Sequence, residues 1–186
     1  MSQGHDGWVD EVLRFWFVEN PKEAWFKKDD GFDRAIADKF GDLHRRLSET
    51  CDVDAAVESP ERALATIIVL DQFSRNLHRD SALAFAADGV ALTVARRAVA
   101  RGFDLRFPAE GRVFFYLPFE HSEKLADQRQ SVALISALGV ADSTWYAERH
   151  REIIERFGRF PHRNAVLGRV STAEEKAFLE EPHSSF

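Results

Sequence analysis

The chain has 186 residues, 45% hydrophobic and 30% charged, with a net charge of −6 and a pI near 5.7. That length predicts a single domain over residues 1–186, able to bury about 70% of its unfolded surface. The acidic balance argues against nucleic acid as a partner, the lone Cys51 excludes an internal disulfide or a cysteine-built zinc site, and no apolar run approaches a membrane span.

The N-terminal "MSQGHDGWVDEV" has neither a basic start nor an apolar stretch, so cytoplasm is the expected location. The periodicity is helical nearly throughout. Asp6 is positioned to cap a first helix whose inward stripe is Val9, Val12, Leu13 and Trp16. A second helix is predicted from Asp30 to Leu47, with Phe32, Ile36, Phe40, Leu43 and Leu47 inward. Ser59-Pro60 starts a third, which runs to Arg75.

Asp80 or Ser81 opens a fourth helix that Gly102 closes, with the small stripe Ala84, Ala87, Ala91, Val94 and Ala98. Pro108 begins a fifth, and Pro118 separates it from a sixth over Phe119–Leu138. Asp142 or Ser143 caps a seventh that ends at Gly158. Pro161 starts a short eighth stopped by Gly168, and Thr172 with Glu175 reads as a capping box for a last helix that halts at Pro182. The expected class is all-α, with eight or nine helices in antiparallel hairpins.

Polar residues interrupt the inward stripes. Asp71 and Arg75 continue the face of Leu64, Ile67 and Ile68, and can pair within one helix. His121 and Gln128 fall on the stripe of Leu125, Val132 and Ile135. His150 falls between Tyr146 and Ile153. An isolated buried charge costs several kcal/mol, so these groups should meet one another or a ligand.

The natural partners lie in "RFGRFPHRNAVLGR", Arg156 to Arg169, where Gly158 and Pro161 fold Arg159, His162 and Arg163 back. Arginine outnumbers lysine 19 to 6 in the whole chain, which suits carboxylate or phosphate recognition, although the codon usage of a GC-rich genome gives the same excess. Other chemistries find no support. The Glu-x-x-His pairs of a di-iron bundle, an HExxH, a P-loop and a GxGxxG are all absent. In "EHSE" the adjacent Glu120 and His121 diverge by about 100° on a helix, so a metal there needs ligands from elsewhere. Ser122 lacks a nucleophile elbow, and Glu120 with Lys124 reads as an ordinary surface pair.

"VLRFWF", "WFKKDDGFDRAI", "LDQFSRN", "YLPFEHSE", "YAERHREIIERFGRFPHRNAVLGR" and "FLEEPHSSF" together resemble the bacterial domain-of-unknown-function family 924, over Val12 to Phe186. The resemblance implies an all-helical fold similar to tetratricopeptide-type hairpin stacks. It singles out Asp71, Gln72, Phe73, Arg75, Asn76, Tyr116, Pro118, His121, Ser122, Glu123, His150, Phe157, Gly158, Arg159, Pro161, His162, Arg163 and Asn164. Where this chain has Ser74 the family typically has proline, which is expected to relax the turn there. The resemblance supplies no activity and no cofactor.

Two functions are therefore expected. In the first, a small anionic molecule binds an internal pocket. Arg75, Arg159 and Arg163 hold it, His121 and His150 transfer protons, Asp71 or Glu123 orients a ring nitrogen, and Gln72, Asn76, Tyr116, His162 and Asn164 line the site. Hydrolysis of an anionic ester is the matching reaction, with no metal. In the second, the hairpins form a groove for a protein or peptide partner, exposed Trp8, Trp25 and Phe186 make contact, and the Arg/His cluster is an internal strut. Arginines converging on a cavity favour the first; arginines fully paired with carboxylates favour the second.

Overall fold

Ten α-helices follow one another along residues 7–185, the part of the chain that the computed structural model describes. They are α1 (Gly7–Arg14), α2 (Asp30–Thr50), α3 (Val53–Ala56), α4 (Pro60–Ile67), α5 (Ser74–Leu77), α6 (Asp88–Ala100), α7 (Ala109–Glu120), α8 (Leu125–Ser136), α9 (Ala141–Phe157) and α10 (Ala173–Leu179). No strand occurs among the described residues, and none of these helices is long and apolar enough to cross a membrane. The expected cap Asp6 lies outside the described residues.

Local chemistry accounts for several helix ends. Asp29 accepts the N–H groups of Gly31 and Phe32 at the head of α2, and Ser59 accepts that of Arg62 at the head of α4. Thr172 and Glu175 form the expected reciprocal capping box of α10. Gly158 ends α9 at φ +69°, where its N–H reaches the carbonyl of Ile154. The start of α9 departs from expectation: its cap is Val140, which has no side chain to accept a hydrogen bond.

Two stretches are wound more widely than an α-helix: Phe15–Glu19 after α1, and Ile68–Phe73 between α4 and α5. Hydrophobic periodicity alone predicts unbroken α-helix here. The wide turns displace carbonyls from their α-helical partners, and side chains take them up. Asn20 Nδ2 donates to Phe15 O (2.7 Å), Ser74 Oγ to Leu70 O (2.6 Å) and Arg75 Nη1 to Asp71 O (2.7 Å). Ser74 thus sits in a helix, not a turn.

Pro118 does not divide two helices; α7 runs through it and ends at Glu120. Phe114, Phe115, Tyr116 and Phe119 around it are all fully buried. Burying four such rings is worth about 1.5–3 kcal/mol each, against about 3 kcal/mol for an internal proline. The break falls instead at residues 121–124. There Gln128 Nε2 donates to the carbonyls of Glu120 (2.5 Å) and Ser122 (2.7 Å) and closes α7. His121 therefore leaves the stripe it was expected to share with Gln128.

The chain divides into two compact units, one holding the chain to Arg79 together with Leu83–Pro118, the other Asp80–Ala82 together with the chain from Phe119. In the first, Phe15, Trp16, Phe32, Phe40, Phe73 and Phe114 form a continuous set of ring contacts. Small Ala87 and Ala91 pack against Leu70 there. Trp25, expected on the surface, is 8% exposed, because it stacks on Trp16 and donates its indole N–H to the carbonyl of Trp16. In the second unit α8 packs along α9, and Ile153, Ile154, Phe160 and Phe178 form the core.

Candidate functional site

The predicted site residues fall into two groups, one in each unit. Asp71, Gln72, Arg75, Asn76 and Tyr116 belong to the first, where they form ion pairs and hydrogen bonds. Arg75 grips Asp88 at two points (3.1 and 3.2 Å) and lies 3.5 Å from the carboxylate of Asp71, the partner expected from helix spacing. The wide turn also lets neighbouring side chains meet, so Gln72 Nε2 donates to Asp71 Oδ2 (2.5 Å). Asn76 and Arg79 both donate to Asp33.

Tyr116 donates its hydroxyl to Asp104 Oδ2 (2.6 Å) and accepts from Arg112. Burial and that carboxylate push its phenol up to about 12. His44, given no role from sequence, is buried with Nε2 2.7 Å from Ser74 Oγ, and burial followed by the nearby His78 lowers it to about 4. A surface depression of about 440 Å³ lies along Gly7, Asp10, Glu11, Leu13 and Arg14. It contains none of the predicted residues, and Arg14 is already paired with Glu19 at 3.1 Å, as on an ordinary solvated helix flank.

In the second unit, His150, His162 and Arg163 gather around Phe160, and His121 lies beside His150. The ring centroid of Phe160 lies 5.5 Å from that of His150 and 5.6 Å from that of His162. The Arg163 guanidinium sits 4.5 Å over its face, and the His121 and His150 rings are 6.2 Å apart. Arg163 Nη1 also donates to the carbonyl of His121 (3.1 Å), which ties the segment after α9 to the break after α7.

His150 Nδ1 is 2.8 Å from the carbonyl of Tyr146 and 3.3 Å from Glu120 Oε1. Both are acceptors, so Nδ1 carries the hydrogen and Nε2 keeps its lone pair. The neighbouring carboxylate alone would favour an ionised ring. Burial, with His121, Arg163 and His162 close by, wins and pushes His150 down to about 3, so the ring is neutral at pH 7.

The carboxylates expected to serve the histidines are engaged elsewhere. Glu123 accepts two hydrogen bonds from Arg169 (2.7 and 2.9 Å) and one from the Phe160 N–H (2.8 Å). Burial pushes Glu123 up, but those donors outweigh it and leave the group below its ordinary value. Arg159 does not reach the histidines. It binds Glu175 at 2.6 and 2.8 Å and holds that carboxyl down at about 2. Asn164 Nδ2 donates to Ser171, and Ser122 Oγ donates to Asp127 (2.7 Å).

Sequence reasoning missed Glu120, read as a surface residue although it is buried, and the pairing role of Arg169. The legible signal for Glu120 is its position four residues after the inward Tyr116. Among the described residues no group of three or more His, Cys, Asp and Glu side chains forms a metal cage.

An all-helical chain with a histidine-rich cluster beside a helix-closing glutamine is thereby defined. The chain belongs to the family described as "Bacterial protein of unknown function (DUF924)", which it matches over residues 12–183. Among solved structures it is similar to the protein of unknown function ATU0120 from Agrobacterium tumefaciens. The identity is 41% and the TM-score 0.87, over 92% of this chain and 96% of that one. No curated protein matches it.

Proposed function

We propose that this protein binds a small oxyanion at the cluster of His121, His150, His162 and Arg163, with hydrolysis of an anionic ester as the reaction. The observation that carries this reading is the packing of the His150 and His162 imidazoles and the Arg163 guanidinium on Phe160, with His121 beside His150, while the nearby Glu123 and Glu175 are held by Arg169 and Arg159. Arg163 and His162 would hold the anion. His150 Nε2, neutral at pH 7, would accept a hydrogen bond that orients the attacking water, whose proton would pass to a non-bridging oxygen of the ester, and Glu120 with the Tyr146 carbonyl would fix its ring. His121 would protonate the leaving oxygen. Asp88 holds Arg75 and Glu175 holds Arg159, so neither arginine would contribute to the anion site.

The test is thermal denaturation with inorganic phosphate on the native chain and on Arg163→Lys. Phosphate at one hundred times its dissociation constant stabilises by about 2.7 kcal/mol. A rise in Tm that Arg163→Lys abolishes supports the reading; no response to any phosphate or carboxylate removes it.

A second reading, a tetratricopeptide-like module for a protein partner with the arginines as struts, is favoured by the two-point pairing of Arg75, Arg159 and Arg169 with carboxylates. It predicts that Arg163→Lys loses stability with no anion response at all.

A further inference from the structure

The second unit carries a feature that anion binding leaves unexplained. Tyr146 and Trp145 stand side by side near the start of α9, 46% and 44% exposed. Their rings meet edge to face with centroids 5.0 Å apart. The His183 ring also meets Trp145, at 5.0 Å and edge to face. His183 holds φ +58°, a left-handed conformation that a side-chain-bearing residue rarely adopts and that costs about 1–3 kcal/mol unless its surroundings impose it. Single exposed apolar residues are ordinary, but a contiguous run of aromatic rings marks a contact surface.

Its position relates it to the oxyanion cluster. Tyr146 precedes His150 by four residues, so both lie on one face of α9, about 6 Å apart along the axis. The Tyr146 carbonyl is the acceptor of His150 Nδ1, so the backbone that aims the imidazole also carries the phenol. The helical spacing predicts Tyr146 inward with His150 and Ile153; instead the residue is half exposed.

Resting on the oxyanion reading, we infer that the ligand is an oxyanion carried on a flat aromatic ring, and that the perpendicular rings of Tyr146 and Trp145 form the aromatic corner that selects it, one ring meeting the ligand face-on and the other at its edge. Tyrosine and tryptophan give large rigid contact area with little loss of side-chain freedom. An aryl phosphate, a nucleoside monophosphate and an aromatic carboxylate share this chemistry.

The test is calorimetric titration of the full chain with inorganic phosphate, phenyl phosphate, adenosine monophosphate and benzoate. It is run on the native protein, on the double variant Trp145→Ala/Tyr146→Ala, and on Arg163→Lys. The expected result is that at least one ring-bearing anion binds ten times more tightly than inorganic phosphate. The double variant should remove that advantage, and the tightest of the three probes names the class. Both substituted side chains are half exposed, and a native circular-dichroism melt checks that the variant folds. If phosphate binds but ring-bearing anions gain nothing, or keep their advantage in the double variant, the aromatic selection is wrong and the oxyanion site stands. If no anion binds, or Arg163→Lys binds all of them as the native chain does, the oxyanion site itself falls and this inference with it.

Discussion

Glu123 and Arg169 close a two-point ion pair, Nη1 to Oε2 at 2.7 Å and Nη2 to Oε1 at 2.9 Å, across 46 residues of chain. Arg169 Nη2 also reaches the carbonyl of Phe160, and Glu123 accepts the Phe160 N–H. Both backbone groups of the residue at the centre of the histidine cluster are thus held by this pair. Paired donors on a carboxylate are among the stronger protein hydrogen bonds.

Arg169→Ala should therefore cost about 1–3 kcal/mol, because Glu123 is left partly buried without its cation. Urea denaturation measures the loss. It should be accompanied by a change in the His150 and His162 resonances, since Phe160 loses its anchor. An unchanged midpoint would mean that the pair is only a surface contact.

Gln128 is fully buried, and its amide nitrogen closes the end of α7. Gln128→Ala removes two hydrogen bonds to carbonyls and opens a cavity. The expected loss is about 2–4 kcal/mol. Gln128→Glu loses the donors while keeping the volume, so it should be nearly as damaging; a mild effect would assign the cost to packing alone.

Ser74 bonds Leu70 O and His44 together. Ser74→Ala should destabilise by about 1–3 kcal/mol, because buried His44 keeps only the longer 3.3 Å contact to Ser48. The backbone at 74, φ −55°, suits proline. Ser74→Pro should therefore still fold, with a larger loss than Ser74→Ala, because it removes the N–H that donates to Gln72 O as well as the hydroxyl. A collapse of the fold in Ser74→Pro but not Ser74→Ala contradicts this.

Stability should fall on mild acidification. His150 and His44 are held at about 3 and 4, below the ordinary 6.5, so the unfolded chain binds protons that the folded one refuses. Their contribution is complete above pH 6.5 and is lost as the pH drops through 4 toward 3, on the order of 3 kcal/mol or more for each. Glu175, held at about 2, adds a loss in the same direction below pH 4.5. Urea midpoints between pH 7 and 4 give the slope, and His44→Leu should flatten it; a level profile in the native chain would rule out neutral buried histidines.

The all-helical class, the capping box at Thr172, the proline start at Pro60 and the left-handed stop at Gly158 were legible in the sequence. Each rests on residues within four positions of one another, where helix geometry alone decides who meets whom. The same locality made Asp71–Arg75 readable, and it put His150 on an inward face. Pro118 misled because its local penalty is real, but four buried rings outweigh it.

Which carboxylate takes which arginine was decided only by the tertiary structure. Arg75 with Asp88, Arg159 with Glu175 and Arg169 with Glu123 are 13, 16 and 46 residues apart. Glu120 beside His150 and the His150 and His162 imidazoles around Phe160 have the same origin. Sequence shows that a buried charge needs a partner, because desolvation demands one. It does not show which partner, because a guanidinium fork can donate to any carboxylate and only chain folding brings one of them within hydrogen-bonding reach.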